Sequence, residues 1–194
     1  MGGTFNPIHI GHLILAENAY QILELDSIIF MPTGCSYLKD PSTILDASTR
    51  MELVSAAVEG NDHFAVSDHE IRKRGNTYTS ETLTELNEIY PGNKWYFIIG
   101  EDSIYNIETW HDSQTIFDKC ILVVAPRGHE PDERLLSIVK HLESECNSSI
   151  QLLDTPDIDI SSSMIRDNLR EGRGIRYYVP EAVLNIIQSK GLYK

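Results

Sequence analysis

The chain has 194 residues, 41% of them hydrophobic and 23% charged, and carries a formal net charge of −13. That length suits one domain with a real core, and the acidic balance disfavours a broad nucleic-acid or anionic-membrane surface while leaving room for a small anionic ligand held by a few local cations. Cys35, Cys120 and Cys146 lack C-x-x-C spacing and read as free thiols, not as a disulfide frame or zinc site; no signal peptide and no apolar run of membrane-spanning length stand out, so a cytoplasmic protein without a membrane partner is expected.

Helical and strand patterns alternate from the start. Gly2-Gly3-Thr4-Phe5-Asn6-Pro7-Ile8 leads into His9-Ile10-Gly11-His12, and a helix is predicted over residues 12–24, with Leu13, Ala16, Tyr20 and Leu23 at helical spacing. A buried strand is predicted over 27–31, followed by a loop over 32–41 that holds Gly34 and Lys39. Asp46 or Ser48 caps a helix carrying Met51, Val54 and Val58. A short strand over 64–66 precedes a helix over 79–90, with Leu83, Leu86 and Ile89 on one face and Pro91-Gly92 ending it. Strands over 95–99, 120–125 and 150–153 follow, with a helix over 131–143 between the last two. Helices over 161–171 and 180–190 close the chain.

Short apolar runs separated by amphipathic helices predict an α/β fold: a Rossmann-like, doubly wound parallel sheet with helices on both faces. One domain over residues 1–194 is expected, its last helices, about 161–194, carrying a second motif. In such folds ligands bind at the carboxyl ends of strands. The chemistry should therefore sit where strand patterns end: at residues 2–12, 32–39, 100–103 and 160–166.

Two of these segments carry a specific signal. His9 and His12 lie three apart at a helix start, on one side of the first turn, with a glycine between them that lets a ligand approach the backbone. The positive end of that helix attracts phosphate. The second segment is Ile160-Ser161-Ser162-Ser163-Met164-Ile165-Arg166. Three serines at a helix start supply a cap, hydroxyls and backbone N–H groups. Arg166, one turn inward, can turn its guanidinium back to bound phosphates. A serine-capped helix with a surface arginine is the bland alternative for the second motif alone; the two motifs together favour a nucleotide phosphate site. The Arg72-Lys73-Arg74 cluster reads as a solvated turn, and His63, His69, His129 and His141 as surface residues.

Residues 2–13 match the signature Gly-Gly-Thr-Phe-(Asp/Asn)-Pro-x-His-x-Gly-His-Leu, and residues 160–166 match Ile-Ser-Ser-(Thr/Ser)-x-Ile-Arg. Thr77-Tyr78-Thr79, Gly100-Glu101-Asp102-Ser103 with the later Trp110, and the ending Tyr178-Val179-Pro180 … Gly191-Leu192-Tyr193 extend the match over nearly the whole chain. The chain thus resembles the nicotinate-nucleotide adenylyltransferase family of bacteria, within the HxGH nucleotidyltransferase superfamily. The resemblance implies that ATP and nicotinate mononucleotide give nicotinate adenine dinucleotide and pyrophosphate, in NAD biosynthesis. It implies catalytic roles for His9, His12 and Arg166. It implies ATP contacts at Gly2, Gly3, Thr4, Phe5, Gly100, Asp102, Ile160, Ser161, Ser162 and Ser163. It implies acceptor contacts at Asn6, Lys39, Thr79, Trp110 and His111, with Gly100 and Asp102 near the adenosine ribose and Thr79 and Trp110-His111 at the nicotinate ring. Magnesium is expected with ATP, held by phosphate oxygens and water, with no metal-ligand set in the protein. No nucleic-acid partner is expected, and a homo-oligomer is left open.

The sequence departs from the family pattern in four places. Only Met1 stands where a strand of about five residues is usual, so upstream residues are expected to be missing. Gly34-Cys35-Ser36-Tyr37-Leu38-Lys39-Asp40 replaces Pro-Pro-His-Lys, Pro126-Arg127-Gly128 replaces Arg-Pro-Gly, and Ser163 replaces threonine. The alternatives are a nicotinamide-mononucleotide or phosphopantetheine adenylyltransferase and, outside catalysis, a nucleotide sensor. The second is usually shorter and lacks the Thr77–Thr79 and Trp110 pattern, and the intact histidines, serines and Arg166 argue against the sensor. Class I aminoacyl-tRNA synthetases share His-Ile-Gly-His but need a longer chain and a Lys-Met-Ser-Lys-Ser loop.

Overall fold

The computed structural model describes residues 1–34, 43–73, 75–126, 128, 131–156 and 158–194. In chain order its elements are β1 (Gly2–Gly3), α1 (Ile10–Ile22), β2 (Ile28–Pro32), α2 (Ala47–Val58), β3 (Phe64–Val66), α3 (Thr79–Ile89), β4 (Tyr96–Gly100), α4 (Glu101–Ile104), a 3₁₀ turn (Ile107–Thr109), α5 (Ser113–Lys119), β5 (Ile121–Ala125), α6 (Glu133–Glu145), β6 (Ser149–Leu152), α7 (Ser162–Arg170) and α8 (Glu181–Lys190). Strands and helices alternate as expected for an α/β protein. β2 runs parallel to β3, β4 to β5 and β5 to β6, in sheets ordered β1-β2-β3 and β4-β5-β6. Among the described residues no helix is long and apolar enough to cross a membrane.

The chain groups into two compact units, the division falling inside β1. Residues 3–76 and 158–194 form one, called here the histidine unit; residues 1–2 and 77–157 form the other, the tryptophan unit.

In the histidine unit α1 buries Ala16 and Ala19, and α8 buries Val183, Leu184 and Ile187, a stripe at helical spacing. Phe30 of β2 is fully buried and meets Phe64 of β3 edge-on at 5.1 Å. α1 starts two residues earlier than its apolar pattern indicates, because His9 itself takes the extended N-cap conformation, φ −146°. Of the two candidate caps for α2, Asp46 is the one used: its carboxylate accepts from Thr49 N–H at 2.9 Å and from the Ser48 and Thr49 hydroxyls. These bonds favour the ionised form and hold Asp46 well below the usual carboxylate range. Gly191, at φ 61°, ends α8, and Leu192 N–H returns to the Ile187 carbonyl at 3.0 Å, a closure that needs a left-handed residue.

In the tryptophan unit Leu83, Ile99, Ile104, Ile107, Ile116, Phe117, Leu122 and Leu142 form a buried cluster, against which Phe97 and Trp110 pack half-buried. α4 and α5 occupy a stretch that the apolar pattern leaves unassigned. Burial pushes the Cys120 thiol up to about 12, so it is inert at neutral pH. Cys120 and Cys146 are free thiols, as expected; Cys35 lies outside the described residues.

Candidate active site

The His9 and His12 rings are stacked, their centroids 3.6 Å apart and their planes 29° from parallel. The stack follows from the local chain path, with His9 as N-cap and His12 in the first turn of α1. The His9 N–H donates to His12 Nδ1 at 3.2 Å. A hydrogen on Nδ1 would oppose that donor, so neutral His12 carries its hydrogen on Nε2, as a donor. Burial lowers His9 from 6.5 to about 4, which keeps it neutral at physiological pH. Its Nδ1 is buried with no hydrogen-bond partner among the described residues.

The residues around the pair explain its geometry. The space above Gly11 is filled by the His9 ring: a β-carbon there would lie 3.1 Å from Nδ1 and 3.2 Å from Cε1. Phe5, 3% exposed and at φ 47°, meets the His12 ring edge-on at 5.1 Å. A bulky residue at positive φ persists only where its surroundings fix it. Gly3 gives room to the same Phe5 ring, which a β-carbon would approach to 3.0 Å.

The start of α7 is fastened to this segment. Ser161 caps the helix, accepting from Met164 N–H at 3.2 Å, and its hydroxyl lies 3.2 Å from that of Ser163. Ser162 donates to the Pro7 carbonyl at 2.7 Å. Arg166 Nη1 donates to the Asn6 carbonyl at 2.8 Å, while its Nε is buried without a hydrogen-bond partner among the described residues. Asn6, 6% exposed, is committed to the protein: its amide donates to Thr43 O at 3.0 Å and accepts from Leu45 N–H at 3.2 Å and the Tyr193 hydroxyl at 3.0 Å. The structure therefore brings Gly3, Thr4, Phe5, Asn6, His9, His12, Ile160, the three serines and Arg166 together in the histidine unit.

Arg50 belongs with them and went unnoticed in the sequence. It is 2% exposed, and its guanidinium donates to four main-chain carbonyls: Leu45 at 3.0 Å, Thr4 at 2.9 Å, Thr33 at 2.6 Å and Gly34 at 3.1 Å. One side chain thus joins the Gly3-Thr4-Phe5 turn, the carboxyl end of β2 and the approach to α2. Burial lowers its pKa, but a guanidinium starts so high that it stays charged.

The tryptophan unit gathers the second group. Thr79 opens α3, and the buried Ser80 hydroxyl beside it donates to the His111 carbonyl at 2.9 Å. The Tyr78 ring lies 4.2 Å from the His111 ring, and Phe97 holds Trp110 edge-on at 6.3 Å. Thr79, Trp110 and His111 are therefore neighbours by construction, with Ser80 as the fastening that sequence reading passed over. Gly100 is exposed at the carboxyl end of β4, and Asp102, two residues on in the first turn of α4, is exposed too. Gly2 is in this unit too. Lys39 and Arg127 lie outside the described residues.

Comparison with known proteins agrees with these motifs. The cytidylyltransferase-like family profile matches residues 1–168. A protein of Lachnoclostridium phytofermentans named "Probable nicotinate-nucleotide adenylyltransferase" is 40% identical over 193 residues, covering 100% of this chain and 96% of its own length. A protein of the same name from Dehalococcoides mccartyi is 42% identical over 199 residues, covering 100% of this chain and 95% of its own. Among solved structures, Plasmodium falciparum nicotinic acid mononucleotide adenylyltransferase complexed with NaAD has the same fold, with a TM-score of 0.80, 21% identity, and 99% of this chain and 94% of that one covered. The chain belongs to the cytidylyltransferase-like family of nucleotidyltransferases and, within it, groups with the nicotinate-nucleotide adenylyltransferases.

Proposed function

We propose that the protein works as one nucleotidyltransferase domain that transfers AMP from ATP to nicotinate mononucleotide. A 5′-phosphate oxygen of the mononucleotide forms a bond to the α-phosphorus of ATP, and the bond from that phosphorus to the β-phosphate oxygen breaks. Nicotinate adenine dinucleotide and pyrophosphate result. Phosphate is already a competent nucleophile, so the protein's work is positioning and charge stabilisation.

The observation that carries this reading is the stacked His9–His12 pair beside Arg166, with two buried polar atoms, His9 Nδ1 and Arg166 Nε, that have no hydrogen-bond partner among the described residues. Buried polar atoms are normally paired, and polyphosphate oxygens suit both. A neutral His9, with its hydrogen on Nδ1, donates to a phosphate oxygen without adding charge. His12, with hydrogen on Nε2, donates to the oxygens that gain charge in the transition state. Arg166 and the first-turn N–H groups of α7 hold the β- and γ-phosphates. Thr79, Trp110 and His111 recognise the nicotinate ring, and Gly100 and Asp102 the adenosine. The donors of the histidine unit are imidazole, guanidinium and hydroxyl, and no set of three or more His, Cys, Asp or Glu among the described residues could hold a metal. Such donors suit phosphate oxygens, so magnesium enters with ATP and offsets phosphate charge. An ATP substrate and cysteines without disulfide spacing support a cytoplasmic site of action.

The test is pyrophosphate release with magnesium-ATP and, in parallel, nicotinate mononucleotide, nicotinamide mononucleotide or phosphopantetheine. Fastest release with the first is expected. Equal or faster release with either of the others, or none with any, overturns the reading.

A further inference from the structure

Tyr193, the penultimate residue, lies far in sequence from both motifs and has no part in the chemistry proposed above, yet its hydroxyl ends at their junction. Gly191 terminates α8 in the left-handed region, and Tyr193 itself sits at φ 65°. A tyrosine at positive φ is strained, and the fold holds it there only through its contacts. One of these contacts is the hydrogen bond from its hydroxyl to Asn6 Oδ1 at 3.0 Å. Asn6 then faces both ways: its side chain is fixed by Tyr193, Leu45 and Thr43, and its main-chain carbonyl accepts from Arg166 Nη1 at 2.8 Å. Burial raises the Tyr193 pKa, while the nearby Arg166 and Arg50 guanidinium groups act in the other direction; the hydroxyl stays protonated and remains a donor.

We propose that Tyr193 is a positioning residue for the polyphosphate end of the site: by fixing the Asn6 amide it orients the Asn6 carbonyl, and that carbonyl aims the Arg166 guanidinium. The proposal rests on the assignment of Arg166 to the β- and γ-phosphates. It makes the carboxyl-terminal turn of the chain part of the donor-nucleotide site.

The test uses the full chain and four proteins: wild type, Tyr193→Phe, Arg166→Ala and the double variant. Calorimetry with pyrophosphate and with nicotinate mononucleotide gives the affinities. Tyr193→Phe is expected to weaken pyrophosphate roughly two- to ten-fold, the share of one hydrogen bond, and to leave the mononucleotide unchanged. In the Arg166→Ala background the same substitution should have no further effect on pyrophosphate. An equal loss in both backgrounds overturns the proposal, because a merely structural tyrosine does not depend on Arg166. A second readout needs no ligand: the Arg166 Nε–H resonance in arginine-labelled protein, assigned by its loss in Arg166→Ala, should exchange faster in Tyr193→Phe. An unchanged resonance in the folded variant also overturns it. Absence of turnover in wild type would count against the proposed reaction, whereas the resonance reports on Tyr193 regardless.

Discussion

The Ser162 hydroxyl donates to the Pro7 carbonyl across 2.7 Å and joins two motifs 155 residues apart in the chain. The three serines are therefore not equivalent. Ser162→Ala leaves a carbonyl without its donor and should lower stability by about 1 kcal/mol, seen as a lower urea midpoint. Ser163→Ala, on an exposed hydroxyl, should leave the midpoint alone and raise KM for ATP. The reverse pattern would reject this division of roles.

His12 gives the largest expected effect on turnover. Loss of one donor to transition-state charge lowers kcat on the order of 10²–10³, so His12→Ala should fall that far in a pyrophosphate-release assay. The tautomer set by the His9 N–H sharpens the expectation. Glutamine places an N–H close to the position of Nε2, whereas asparagine places one near Nδ1. His12→Gln should retain more activity than His12→Asn; the opposite order would show that Nδ1 is the working atom.

Arg50 should matter to folding. Arg50→Met removes the donors of four carbonyls at once, and each unpaired buried group costs about 1–3 kcal/mol, not additively. A loss of about 3 kcal/mol or more in urea unfolding is expected. Arg50→Lys should recover little of it, since an ammonium cannot reproduce the planar fork. A loss below about 1 kcal/mol would mean that water replaces the guanidinium.

His9 makes the fold acid-sensitive. The unfolded chain takes up a proton below about 6.5 and the folded chain only below about 4. Between these values the unfolded state binds more protons, so the stability present above 6.5 is lost as pH falls through this window. The loss reaches roughly 3 kcal/mol. The urea midpoint of wild type should fall relative to that of His9→Asn as pH is lowered from neutral to 4. Parallel curves would mean that His9 is protonated in the folded state as readily as in the unfolded one.

Substrate choice tests the tryptophan unit. A nicotinate carboxylate needs facing donors, and an amide group in its place leaves polar atoms mismatched at roughly 1–3 kcal/mol per buried group. Thr79→Val and Trp110→Ala should both reduce the preference for nicotinate over nicotinamide mononucleotide in kcat/KM. Ser80→Ala should do so indirectly, by releasing the His111 carbonyl. If all three variants keep the wild-type ratio, recognition of the ring lies elsewhere.

Elements with a strong apolar period were legible in the sequence. β3 occupies the expected three residues, and α3 buries Leu83 and Leu86 of its expected face, while Ile89, in the last turn, is exposed. α5 was not legible, for it has seven residues and its N-cap, Asp112, sits at φ 48° without a side-chain capping bond. Nothing in composition marks such a start. Of the four histidines expected at the surface, His141 is exposed, His129 lies outside the described residues, and His63 and His69 are half-buried; the His63 ring stacks on Tyr20 at 4.2 Å, an aromatic contact across elements that spacing cannot reveal. Gly11 was read as room for a ligand, and the room is taken by His9. The motifs themselves are visible because their residue types are unusual together; of their fastenings, Ser80 looks like an ordinary helix residue, and Tyr193 stands in a matching ending whose spacing gives no sign of its bond to Asn6.

The Arg50 junction has an evolutionary consequence. Its four acceptors among the described residues are all main-chain oxygens. The amino acids at positions 4, 33, 34 and 45 are therefore free to drift without loosening it, and none of them can compensate for losing the arginine. Paired substitutions at those four positions therefore carry no signal of their contact with position 50. A junction of three loops thus leaves no trace in the amino acids of the positions that it ties together.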